Sequence, residues 1–173
     1  MFTVLTALIT VTLMVVIVRK TKAKKRAIHP TYLHEARHAV VSFVLGKRIV
    51  SVHADHEAGT GHVENSSEDM KTTKDHRDFV RIAMAGTLAY NGLTKGSSGD
   101  TGFHDMLAIQ NYIKEYPKML KGFSSKEHFL YEMEHETNLL LKKHSELVLR
   151  FAKELSVKKT MNSDEALFAL TGS

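Results

Sequence analysis

His34-Glu35-Ala36-Arg37-His38 lies inside Pro30-Thr31-Tyr32-Leu33 on one side and Ala39-Val40-Val41-Ser42-Phe43-Val44 on the other, and this stretch decides the reading. Pro tolerates the first turn of a helix, and Leu33, Ala36, Val40, Phe43 and Val44 recur at helical spacing until Gly46 closes the run. On such a helix residues i and i+4 share a face, so His34 and His38 can aim at one ion. Glu35, next to the first histidine, can then reach a water held there. Zinc with three protein ligands and one open position brings the pKa of that water to about 7, which suits attack on a peptide carbonyl. Glu35 would act as the base and pass the proton to the leaving amine. Chance alone gives about 0.05 occurrences of HExxH in a chain with this many His and Glu. The bland alternative is a charged turn exposing two histidines to water. Ala39-Val40-Val41 directly after His38 favours a buried helix instead.

Zinc needs a third ligand. A metzincin would place Gly at 41 and His at 44, where this chain has Val41 and Val44. Glu57, Glu64 and Glu68 fall in strand or loop sequence. Asp105 fits better, because it opens a helix directly after the Gly-rich loop Lys95 to Gly102 (KGSSGDTG). The chain has no cysteine, which excludes thiolate zinc sites, iron–sulfur clusters and a cysteine nucleophile.

Outward from the motif, Val50, Val52 and Ala54 alternate with Ser51, His53 and Asp55 as in a half-buried strand. Gly59-Thr60-Gly61 turns the chain into a partner strand at His62 to Glu64. A second helix is expected from Asp75 to Asn91, with Ala83, Gly86 and Ala89 as a stripe permitting close helix approach. A third is expected from Asp105 to Tyr116, before Pro117. Ser124 and Glu127 have capping-box spacing ahead of a helix carrying Phe129, Met133, Leu140 and Leu141. Another helix runs through Leu147, Phe151 and Leu155. The fold class expected is mainly α with a small β-sheet. His128, His135 and His144 lie in charged helical sequence and receive no chemistry.

Met1 to Val18 (MFTVLTALITVTLMVVIV) contains no charge, Pro or Gly. As a helix it spans about 27 Å, close to the ~30 Å hydrocarbon core of a bilayer. Arg19, Lys20, Lys22, Lys24, Lys25 and Arg26 follow; removing their six charges from the net +5 leaves −1 for the rest of the chain. A nucleic-acid-binding domain would carry its basicity on the folded part, so no nucleic-acid partner is expected. A cleaved signal peptide has its positive charges before the apolar stretch, the reverse of this order. The expected organisation is a transmembrane anchor at 1–18, a basic juxtamembrane tether at 19–26 and a zinc metallopeptidase domain at 27–173. Basic residues stay on the cytoplasmic side, which puts the N-terminus outside and the domain in the cytoplasm. Residues 1–26 would then contact membrane lipid.

From Ala27 to Leu170 the chain resembles the peptidase domain of FtsH-type membrane-bound zinc metallopeptidases. HEARHAVV at 34–41 is similar to the family's HEAGHAVV, IAMAGTLAY at 82–90 to its GGRAAE helix, and GDTGFHDMLAI at 99–109 to its TGAxNDxxxA segment. EMEHETNLLLKKHSELVLRFAKEL and SDEAL resemble its closing helices. The resemblance implies His34, His38 and Asp105 as zinc ligands and Glu35 as the catalytic base. The chain departs from the pattern at Arg37, which replaces a glycine, at Tyr90, which replaces a glutamate, and at His104, which replaces an asparagine. Tyr90 and His104 are therefore the candidates for contacts behind the ligands. The family couples its peptidase to an AAA ATPase, yet these 173 residues contain no GxxxxGK[ST], so no ATP is expected to bind them.

The function expected is a membrane-anchored zinc endopeptidase acting on unfolded or membrane-adjacent protein segments, with the strand at residues 49–55 as the element an extended substrate would pair with. The resemblance also suggests a homo-oligomeric ring. The competing class is a non-catalytic, peptidase-like module that binds membrane proteins or assembles with a full-length relative; Arg37 and Tyr90 are the features on its side.

Overall fold

The computed structural model describes residues 27–88 and 101–172. The apolar stretch at 1–18, the basic run at 19–26 and Tyr90 lie outside the described residues. Among the described residues no helix is long and apolar enough to cross a membrane.

Six α-helices and one three-stranded antiparallel sheet make up the described chain. In order they are α1 (Pro30–Val44), β1 (Ile49–Asp55), β2 (Thr60–Asn65), α2 (Thr73–Thr87), α3 (Thr101–Glu115), α4 (Lys126–Lys143), α5 (Ser145–Lys158), β3 (Thr160–Asn162) and α6 (Ser163–Thr171). Short 3-10 turns at Ser67–Asp69 and Pro117–Leu120 complete the list. The mainly helical class with a small sheet is as expected.

Helix α1 is the centre of the molecule. Every residue from Thr31 to Ser42 is buried, because the sheet, α2 and α5 enclose it on different sides. Its Leu33, Ala36, Val40 and Val41 join Val52, Phe151, Leu155 and Met161 in one core cluster. A second cluster, built on Val80, Ile109, Met119, Phe129 and Met133, holds α2, α3 and α4 together. The carboxylate of Asp78 is fully buried and accepts from Lys47 at 3.3 Å, Lys74 at 2.6 Å and Arg81 at 2.7 Å. Lys47 follows the end of α1, so this network fixes α2 against the helix that carries the motif.

Several boundaries differ from expectation. The strand alternation is broken by an irregularity between Ile49 and Ser51, so Ile49, Val52 and Ala54 face the core while Val50 is exposed. The sheet order is β2-β1-β3: β1 is hydrogen-bonded on both sides, to β2 along its length and to β3 through Ser51, Val52 and His53. Strand 49–55 therefore has no free edge where β3 pairs with it, and β2 and β3 are the two edge strands, each partnered on one side. Three residues sufficed for β3, too few for a periodic signal. Helix α2 starts at Thr73 with Thr72 and Asp75 as a capping box and ends at Thr87. Helix α3 starts at Thr101, so Asp105 lies one turn inside it rather than at its start. Ser125, not Ser124, caps α4 through the His128 N–H, while the Ser124 hydroxyl bonds the His128 ring.

Candidate metal centre

A fully buried helix carrying His34, Glu35, Arg37 and His38 is unusual, because each group loses its hydration and must find partners. For the two histidines those partners are carbonyls of α2. His34 Nδ1 donates to Gly86 O at 3.1 Å and His38 Nδ1 to Ile82 O at 2.7 Å. The reversed pairing, 34 with 86 and 38 with 82, follows from α1 and α2 running antiparallel. Gly86 lies in the last turn of α2, where carbonyls have no donor within the helix, so its oxygen is available to an imidazole.

These contacts fix the tautomers. A carbonyl only accepts, so both Nδ1 carry hydrogen and each Nε2 offers a lone pair in the neutral ring. The two Nε2 atoms lie 3.1 Å apart, and Asp105 Oδ2 stands 3.2 Å from one and 3.3 Å from the other. That oxygen is buried and has no hydrogen-bond donor. Three lone-pair atoms facing one another at this distance repel unless a cation or proton lies among them. Burial would raise the Asp105 carboxyl, but the imidazoles of His34 and His38 outweigh it and hold it at about 2. The carboxylate is thus anionic. Its triangle with the two Nε2 matches one face of a tetrahedral site, whose ligands at about 2.0–2.1 Å stand about 3.3 Å apart. The donor set fits a divalent metal ion, and among the described residues no other trio of His, Asp or Glu converges in this way.

Glu35 is buried on the sheet side of the same helix, with Oε1 3.9 Å from His34 Nε2. Burial pushes its carboxyl up to about 7; the His34 ring counters part of the rise, and the Asp105 charge adds to it. Space for it comes from Gly61 on β2, where a Cβ would overlap Oε1 and lie 2.6 Å from Cδ. Burial also lowers the pKa of the Arg37 guanidinium.

The structure therefore brings His34, His38 and Asp105 to one point with Glu35 beside them. His104 is exposed at the start of α3 and is not among the converging groups, its ring resting edge-on against Phe103. Sequence reasoning missed the positioning roles of Ile82, Gly61 and Gly86. Gly86 stood out only as part of a small-residue stripe, whereas its lack of a side chain makes room for the imidazoles: a Cβ there would overlap His38 Nε2 and lie 2.5 Å from His34 Cε1. Gly86→Ala should therefore weaken divalent-metal binding by at least about 10-fold and destabilise the fold by about 1–3 kcal/mol. Competition against a chromophoric chelator and thermal unfolding would measure the two effects.

No family model matches the chain, and no curated protein is similar enough in sequence to count as a relative.

Proposed function

We propose that the protein is a membrane-anchored zinc endopeptidase, of the FtsH-peptidase type, in which His34, His38 and Asp105 hold the metal and Glu35 is the general base. The observation that carries this reading is the trio of lone-pair atoms at 3.1–3.3 Å with a buried carboxylate alongside. A structural zinc site would close its fourth position with a protein ligand, and no fourth His, Asp or Glu joins the trio among the described residues. Zinc held there would supply Lewis acidity toward a peptide carbonyl and a water made acidic enough to attack it.

The chain's own residues do the rest. Glu35 takes the proton from the water and delivers it to the departing amine, which needs no covalent intermediate. Its neighbour Gly61 belongs to β2, so an extended peptide added to the free side of β2 would run past Glu35. That assignment replaces strand 49–55, and it relies on backbone bonds that carry little sequence preference. Substrates of this kind are unfolded or loosely held segments, and an anchor at 1–18 would keep the site near the cytoplasmic membrane surface.

The test is metal analysis of the full chain in detergent together with hydrolysis of casein. One zinc per chain and cleavage abolished by a chelator, then restored by zinc, are expected. Cleavage that survives complete metal removal would refute the reading, and bound zinc without cleavage would leave the binding-module alternative.

A further inference from the structure

The side chain of Arg37 has no role in the site just described. It is only 6% exposed, and its Nη2 is buried without a hydrogen-bond partner. Among the described residues no carboxylate lies within ion-pair distance of it, although the surface and core hold ion pairs elsewhere. Its neighbours one turn away on α1 are the buried, apolar Leu33, Val40 and Val41 and the buried metal-ligand candidate His34. Arginine carries its charge permanently in proteins, and a guanidinium is almost never buried without an anion.

Residues 1–26 contain no Asp or Glu that could supply that anion. Asp69 and Asp100 are the acids whose side chains lie outside the description. A peptide carboxylate is a poor fit, because it arrives with a chain attached and needs an open mouth, whereas Arg37 is almost wholly covered. A spherical ion needs only room for itself. We infer that Arg37 is the receptor for a small monatomic anion, chloride under physiological conditions, which neutralises the buried charge on the metal-bearing helix. Arg37 adjoins His38 in sequence but is not a member of the metal trio, and the inference does not depend on the peptidase reading.

The experiment is thermal unfolding of the full chain in detergent, in sodium chloride against sodium gluconate at equal ionic strength. It is run as purified and after chelation, so that halide binding at a metal is distinguished. At chloride about 100-fold above its dissociation constant, Tm should stand about 8 °C above the gluconate value, with or without chelator. In Arg37→Met the halide-specific rise should vanish. Bromide-soaked crystals should show an anomalous peak in contact with the guanidinium, a result that needs no variant to fold. The inference is overturned if gluconate stabilises as well as chloride, if Arg37→Met keeps the full response, or if bromide is absent from Arg37. It is equally overturned if Asp69→Asn or Asp100→Asn creates a chloride response that the wild type lacks, since that aspartate would then be the partner.

Discussion

Glu35→Gln is expected to retain one zinc per chain and to lose peptide hydrolysis by about 10³-fold, the range in which a positioned general base contributes. The substitution keeps the shape of a side chain that is 2% exposed and hemmed in by Gly61, so packing around it is preserved. It removes only the ability to take and return a proton. The metal trio does not include Glu35, so zinc affinity should stay within a few-fold of wild type. Single-turnover cleavage of a fluorescent peptide, with zinc measured on the same sample, separates the two quantities. A variant that cleaves at the wild-type rate would remove Glu35 from the chemistry, and one that loses zinc would make it part of the ligand set.

Much of this site was legible because HExxH is a local pattern. Its spacing alone sets His34 and His38 on one face, and the apolar residues around it announce a buried helix. The helical elements were legible for the same reason, since Leu33 to Val44 and Phe129 to Leu141 repeat with the helical period. What the sequence concealed is relational. Whether Asp105 closes the trio depends on α2 and α3 packing together, and nothing at position 105 encodes that. The carbonyls of Ile82 and Gly86 are backbone atoms with no residue signature; only the absence of a side chain at Gly86 leaves a trace. Strand order is hidden in the same way: β3 is three residues long, and its pairing through Ser51 to His53 is what takes the free edge from β1 and leaves β2 and β3 as the edge strands. Arg37 could be noticed as a charge beside a ligand, but its burial without a partner required the fold.

Asp105→Asn tests the least local of the assignments. An aspartate at a helix start can be a cap with no other duty, and that explanation would make the Asn variant nearly silent. The structure removes it, because α3 begins at Thr101 and places Asp105 a full turn inside the helix. Its Oδ2 instead faces two Nε2 atoms and no donor. Asn supplies a neutral oxygen in place of an anionic one, a much poorer partner for zinc, so affinity should fall by at least about 100-fold, with hydrolysis lost in parallel. In the metal-free protein two effects of the change oppose each other. An amide NH2 turned toward the facing Nε2 lone pairs can donate to them, which relieves the repulsion. Metal-free Asp105→Asn gains this bond but loses the favourable pairing of the carboxylate with the imidazoles, so it should unfold close to the wild-type temperature while failing to gain the increment that zinc gives the wild type. Calorimetry with and without zinc reads both effects in one experiment. Equal zinc-induced stabilisation of the two proteins would withdraw Asp105 from the ligand set, and a large loss of metal-free stability would make it a structural residue of α3 instead.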